Sequence, residues 1–283
     1  MRKAIFTTIA AVAVAASGLA GAAPNLVPAM VEPAGKPVLI PQHAVEVAPH
    51  VFDLGIAVDP ADGELVQGYA IIHPARGSAR GGQPGKPSGK SSCYGFLAKG
   101  AKWKSVENWV VNTTNPDGIP SGTIFGILDG GILRWEDAAD GTIGDGSSKD
   151  VVGAGSVTSS TLVADEIAPD NQNEVYFDAL DSGTIGVTIV WGIFGGPPGG
   201  RELREWDQVY NTLYSWSAEA AGFFGKMDFD NIVTHELGHT VGLADLYTLS
   251  CSDETMYGYG AEAETKKRDL NAGDIAGIKE LYK

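Results

Sequence analysis

The chain has 283 residues, with 20 basic and 35 acidic side chains and a formal net charge of −15 at pH 7. This length is sufficient for a sizeable hydrophobic core. The acidic balance argues against nucleic acid and against anionic membrane as partners, because both repel a negatively charged surface.

Residues 1–22 have the pattern of a secretory signal peptide. Arg2 and Lys3 precede an apolar stretch, and the small residues Ala20 and Ala22 stand where a signal peptidase reads the chain. A retained membrane anchor is the alternative, but the apolar run is short and diluted by Thr, Ser and Gly. The segment predicts a secreted protein that begins at Ala23 and makes no membrane contact after cleavage. Its removal takes away two positive charges and no negative one, so the net charge becomes −17.

Residues 23–74 are predicted to form a separate N-terminal segment. It starts with a stretch rich in Ala, Pro and Val and continues as VFDLGIAVDPADGELVQGYAIIHP, which predicts a β-hairpin with its turn at residues 59–63. Residues 75–92 are rich in Gly, Pro and Ser and carry basic but no acidic side chains, so they predict a solvated linker.

Residues 93–283 predict one globular domain with helices packed on a mixed sheet. Patterns typical of strands lie at 107–112, 173–180, 184–194 and 204–216. Helical spacing of apolar residues is seen over 121–140, 228–243 and 270–283. The second helix has Asp228 or Asp230 as its cap and Gly242 as its end, and Asn271 caps the third.

The stretch HELGHTVGLAD contains two of the five histidines of the chain, His235 and His239. Residues four apart on a helix share a face, so both rings can reach one zinc ion at about 2 Å. Glu236 is rotated by about 100° and is better placed to act on a metal-bound water as a general base. The alternative is a surface helix that carries two histidines without a metal.

A catalytic zinc site needs a third protein ligand. Gly242 permits a sharp exit from the helix, and Asp245 follows three residues later, where the turn can bring its carboxylate back to the metal. A rival arrangement would use a glutamate from a later helix, and the candidates are Glu262 and Glu264. Both lie in the polar stretch AEAETKKR, which offers no apolar helix face.

His235, Glu236, His239, Gly242 and Asp245 together resemble the metzincin zinc metalloproteases, whose motif ends in histidine or aspartate. The aspartate resembles the snapalysin branch. DETMYGYG would supply the methionine turn beneath the metal, with Met256 as an apolar floor and with Tyr257 or Tyr259 lining the substrate pocket. The order of these residues is similar to the matrixin version.

The resemblance covers residues 228–283 strongly and 93–283 loosely. It implies an α+β, metzincin-like domain: a mixed twisted sheet with an active-site helix and a C-terminal helix, preceded by the small N-terminal hairpin segment. Residues 23–92 stand where the family keeps an inhibitory propeptide, so the resemblance implies a zymogen, although the matrixin Pro-Arg-Cys-Gly motif is absent.

The two cysteines, Cys93 and Cys251, predict one disulfide in an exported chain. Alternatively, Cys93 caps the zinc ion as a thiolate and Cys251 stays free. A structural calcium ion is a second cofactor hypothesis, because the loop 137–150 presents Asp137, Asp140 and Asp145. A solvated loop has the same composition.

The sequence therefore predicts a secreted zinc metalloendopeptidase that cleaves protein or peptide substrates. Glu236 would be the catalytic base, and His235, His239 and Asp245 the metal ligands. Two other functions stay open: a zinc-binding recognition or adhesion module without catalysis, and a zinc hydrolase of non-peptide amides.

Overall fold

The computed structural model describes residues 35, 36, 38, 40–76 and 93–283. The predicted signal peptide and all but the first two residues of the predicted linker lie outside the described residues. In the described part of the chain, no helix is both long and apolar enough to span a lipid bilayer.

The centre of the fold is an eight-stranded mixed sheet with the strand order β1-β2-β3-β7-β8-β6-β4-β5. Strands β4, β5, β6 and β8 pair in parallel, and the other neighbours pair antiparallel. The strands are β1 (Val45–Ala48), β2 (Val51–Val58), β3 (Leu65–Pro74), β4 (Trp109–Asn112), β5 (Gly155–Thr158), β6 (Asn173–Asp178), β7 (Thr184–Ile193) and β8 (Glu202–Asn211). Two short strands, β9 (Trp216–Ser217) and β10 (Met227–Asp228), form a separate parallel pair. The α+β class and the mixed sheet predicted from the sequence are confirmed.

The N-terminal hairpin is part of this main sheet. Strands β2 and β3 are joined at residues 59–64, where the Asp59 carboxylate accepts a hydrogen bond from the backbone of Ala61 at 2.8 Å. The outer edge of β3 then pairs antiparallel with β7 from Gln67 opposite Gly192 to Pro74 opposite Thr184. Because of this pairing, β7 is an inner strand of the sheet. The sequence predicted the hairpin but did not predict that it pairs with β7.

Three α-helices are present in the described residues: α1 (Ser121–Ala138), α2 (Phe229–Thr240) and α3 (Ala272–Leu281). Helix α2 begins at Asp228, whose side chain accepts the backbone N–H of Asn231 at 2.9 Å. Helix α3 begins with a capping box in which Asn271 and Asp274 each accept a backbone N–H of the other residue. The local signals for both helix starts are thus read correctly from the sequence.

The hydrophobic core has one layer on each face of the sheet. The larger layer packs the helices on the sheet and contains Trp135 of α1, Trp206 of β8 and Leu237 of α2. The smaller layer lies under the hairpin and contains Leu54 and Trp191. Because α2 is covered by both the sheet and α1, its polar residues are buried and must find partners inside the protein.

Candidate active site

Helix α2 places His235, Glu236 and His239 in the interior, where all three side chains are fully buried. The ring centroids of the two histidines are 5.0 Å apart. Asp245, which follows the end of the helix, brings its carboxylate back to them: Oδ1 lies 3.2 Å from His235 Nε2 and 3.5 Å from His239 Nε2. The three residues predicted as ligands therefore converge on one point.

These three atoms fit a zinc ion. Each is buried, and none makes a hydrogen bond of acceptable geometry. Two ligand atoms about 2.1 Å from one tetrahedral ion lie about 3.4 Å apart, close to the separations seen here. Buried polar atoms without partners are costly, and a shared metal ion removes that cost.

The far side of each ligand is fixed by a hydrogen bond. His235 Nδ1 donates to the carbonyl of Thr255 at 2.7 Å, and His239 Nδ1 donates to the carbonyl of Leu243 at 2.9 Å. The hydroxyl of Tyr247 donates to Asp245 Oδ2 at 2.9 Å. These contacts leave both Nε2 lone pairs and Oδ1 directed at the metal position. The sequence did not predict any of these three hydrogen-bond partners. Thr255 and Leu243 act through their backbone carbonyls, and only Tyr247 acts through its side chain.

Electrostatics in the site favour neutral imidazole beside an ionised carboxylate. Burial, together with the charge of Lys267, lowers the pKa of His235 to about 3. Burial alone would raise the pKa of Asp245, but His239 and His235 hold it well below its usual range. Burial alone would lower the pKa of His239, but the Asp245 carboxylate raises it. This is the charge state in which two imidazoles and a carboxylate bind a divalent cation.

Gly242 makes the return of the chain to the metal position possible. Its φ of +102° lies in the region that side chains other than glycine rarely adopt, and its N–H donates to the carbonyl of His239 at 2.9 Å. A Cβ at this position would also lie 2.8 Å from the carbonyl oxygen of Ala101. Glycine is required here by conformation and by space.

Met256, predicted as the apolar floor of the site, is buried, with 1 % of its surface exposed. It packs directly on α2, because a Cβ at Gly238 would lie only 2.1 Å from its sulfur. The Asp274 carboxylate of α3 accepts the backbone N–H groups of Thr255 at 2.7 Å and of Met256 at 3.2 Å. Helix α3 thus anchors the methionine turn and, through the Thr255 carbonyl, the ring of His235.

The comparison with known families agrees with this geometry. The sequence profile of the peptidase M10 family, described as matrixin, matches residues 134–283, which is just over half of the chain. The chain belongs to the matrixin family. Membership makes it a zinc metallopeptidase with protein or peptide substrates. No curated protein shows significant similarity to the chain.

The two tyrosines predicted for the substrate pocket belong to one aromatic cluster with Tyr247. Tyr257 is 7 % exposed, and its ring lies 5.7 Å from that of Tyr259. The Tyr259 ring also lies 5.3 Å from Tyr247, the partner of Asp245. A role in substrate binding stays a prediction for both.

The matrixin site contains one histidine that sequence reasoning did not assign. His73, near the end of β3, is 1 % exposed, and its Nδ1 lies 2.8 Å from Glu236 Oε1. Thr188 of β7 donates to the other oxygen, Oε2, at 2.6 Å. Both carboxylate oxygens of the predicted base therefore have partners. The only sequence signal for His73 was the rarity of histidine in the chain.

The second unexpected residue in the matrixin site is Lys267, which is fully buried. Its Nζ donates to the carbonyl of Tyr257 and lies 3.4 Å from His73 Nε2 and 3.5 Å from His235 Nδ1. Burial lowers the pKa of Lys267 to about 8. In the sequence it is the middle one of three adjacent basic residues, and nothing there distinguishes it from its neighbours.

Neither Glu262 nor Glu264 belongs to a group of three candidate ligand atoms within 4.8 Å in the described residues. The same is true of Asp137, Asp140 and Asp145, so the predicted calcium site has no support there; these aspartates accept backbone N–H groups of their own loop. Cys93 and Cys251 form a disulfide, which leaves no thiolate to cap a metal.

Proposed function

We propose that this matrixin is a secreted endopeptidase in which His235, His239 and Asp245 hold zinc and Glu236 is the general base. One observation carries the proposal: three unpartnered, fully buried ligand atoms converge beside a buried glutamate on the same helix. Secretion rests on the signal-like sequence of residues 1–22.

Zinc bound there would supply a Lewis acid and a water molecule with a pKa lowered toward about 7. Glu236 would take a proton from the attacking water and pass it to the leaving amine. Thr188 holds one carboxylate oxygen of Glu236, so the other is the oxygen that receives the proton. Strand β7 offers backbone N–H and C=O groups to an extended substrate wherever β3 is not paired with it.

The same proposal includes latency imposed by the N-terminal segment. Strand β3 covers the edge of β7, and His73 is hydrogen-bonded to the Glu236 oxygen that the reaction needs. Beyond β3, the N–H of Ala75 donates to the carbonyl of Gly183 at 3.0 Å and that of Arg76 to Gly260 at 2.8 Å. The chain then enters residues 77–92, whose glycine-rich sequence suits proteolytic removal of the segment.

Metal analysis and peptide hydrolysis test the peptidase. We expect one zinc ion per chain and, once residues 77–92 have been cut, cleavage of casein or a quenched peptide that a chelator abolishes. Glu236→Gln should keep the ion and lose about 10²–10⁴-fold in turnover. Glu262→Gln is the matched control, because this exposed glutamate is the rejected ligand candidate.

A Glu236→Gln protein with full turnover would refute the role of the base. Stoichiometric zinc without cleavage of any peptide would favour the recognition module. Cleavage of small amides alone would favour the non-peptide hydrolase.

A further inference from the structure

The pocket filled by His73 is a candidate binding site for one substrate side chain. The imidazole enters between Glu236 and the ring of His235, whose centroid lies 4.0 Å away. Because β3 pairs antiparallel with β7 across the site, it takes the place of an extended peptide substrate. A side chain at the same position of a substrate would enter the same pocket, an inference that rests on the proposed peptidase function.

The wall opposite Glu236 is formed by the ammonium group of Lys267. Its side chain is fully buried, and no carboxylate lies within 4 Å of its nitrogen in the described part of the chain. The pocket-facing acceptor next to it is Nε2 of His73, at 3.4 Å. When β3 leaves, this ammonium loses that acceptor and keeps the carbonyl of Tyr257, so a cation that has no anionic partner faces the vacated pocket.

The charges around the pocket favour an anion once the metal is bound. Among the charged groups that act on Lys267, Glu264 and Lys266 cancel each other, and the site itself contributes the carboxylates of Asp245 and Glu236. Together with Lys267 they carry one net negative charge, and a divalent ion turns this into one net positive charge. A negatively charged side chain of the substrate would therefore bring the net charge of the metal-bound site to zero.

We propose that Lys267 determines substrate specificity: the pocket occupied by His73 accepts a carboxylate side chain beside the cleaved bond, glutamate above all. Glutamate places its oxygens the same number of bonds from Cα as histidine places Nε2, so it reaches the Lys267 ammonium from the same backbone position. Aspartate is one bond shorter.

Because β3 belongs to the same chain and carries His73 into the pocket, the specificity can be tested without catalysis. In the zinc-loaded full chain, His73 is replaced by Glu, Gln or Leu, each with native Lys267 and with Lys267→Met, and amide hydrogen exchange of β3 is measured. We expect His73→Glu to slow the opening of β3 about tenfold relative to His73→Leu, and Lys267→Met to abolish this difference. Lys267→Gln is the second uncharged variant, and Lys266→Met is the control that should retain the difference.

Equal exchange in the Glu and Leu variants would overturn the proposal. Slow exchange of the Glu variant that persists with Lys267→Met would also overturn it, because the carboxylate would then act on the metal and not on Lys267.

The cleavage of peptides is the second test of this specificity. The full chain cut within residues 77–92 should enrich glutamate at one position beside the bond cleaved in a random peptide library, about tenfold over leucine, and Lys267→Met should remove the enrichment. Zinc-dependent cleavage with apolar residues at that position would refute the specificity and leave the peptidase intact. Absence of both zinc and cleavage would refute the peptidase itself.

Discussion

At the scale of single residues, the proposed third ligand, Asp245, accepts a hydrogen bond from one hydroxyl group. Tyr247 donates to Asp245 Oδ2 at 2.9 Å, which leaves Oδ1 facing the two imidazoles. Removing such an orienting hydrogen bond typically weakens metal binding 10–100-fold. We therefore predict that Tyr247→Phe lowers the zinc affinity of the full chain at least tenfold, as measured by titration against a competing chelator.

The neighbouring Tyr259→Phe serves as the control for that titration, because Tyr259 contacts the Tyr247 ring and not the carboxylate. Equal zinc affinity for Tyr247→Phe and the wild type would show that the turn after Gly242 alone orients Asp245.

The sequence reveals those residues of the site that lie close to one another along the chain. His235, Glu236 and His239 follow from helical spacing, and Asp245 follows from a glycine that turns the chain within a few residues. Thr255 and Leu243 act through backbone carbonyls, which any residue type supplies. His73 and Lys267 reach the site by long-range packing, and no spacing in the sequence links either of them to α2.

At the scale of secondary structure, β3 covers the edge of β7 beside the site, and the proposed latency depends on this pairing. The hairpin could be predicted because its turn residues are local, whereas the partner of its free edge could not, since strand pairing between distant segments leaves no periodic signal.

Latency makes a prediction about one side chain of β3. His73→Ala frees Glu236 Oε1 and weakens the docking of β3, so that β3 opens more often and the intact chain should gain at least about tenfold in peptidase activity, short of the level reached after cleavage within residues 77–92. His43→Ala is the matched control, because His43 belongs to the same segment but bonds the carbonyl of Leu54 at 2.9 Å. An intact wild-type chain as active as the cut chain would contradict latency.

At the scale of the whole molecule, a second group of acidic side chains lies outside the active site. Four carboxylates gather where β6 and β8 meet the loop before β6: Asp165, Glu174, Glu205 and Asp207. The Asp207 carboxylate accepts the N–H groups of Asp165 at 2.8 Å and Glu174 at 3.1 Å. None of the four forms an ion pair with a basic side chain in the described residues.

Burial of this cluster raises the pKa of its carboxyl groups. Burial, with the charges of Asp207 and Asp165, raises the pKa of Glu205 to about 11. Burial raises the pKa of Glu174 to about 7 and that of Asp165 to about 6. Folding therefore favours the protonated cluster, and the unfolded chain releases these protons at lower pH.

This protonation predicts how stability varies with pH. A carboxyl group whose pKa is higher in the folded state stabilises the fold fully below its unfolded pKa, and this contribution is lost as the pH rises toward the folded value. The free energy of unfolding should fall between pH 5 and pH 8, by more than about 1 kcal/mol. Glu205→Gln, which keeps the shape and removes the titration, should flatten that decline in urea unfolding curves. Asp253→Asn, at a largely exposed side chain, should leave it unchanged. A decline as steep in Glu205→Gln as in the wild type would assign the pH dependence to other groups.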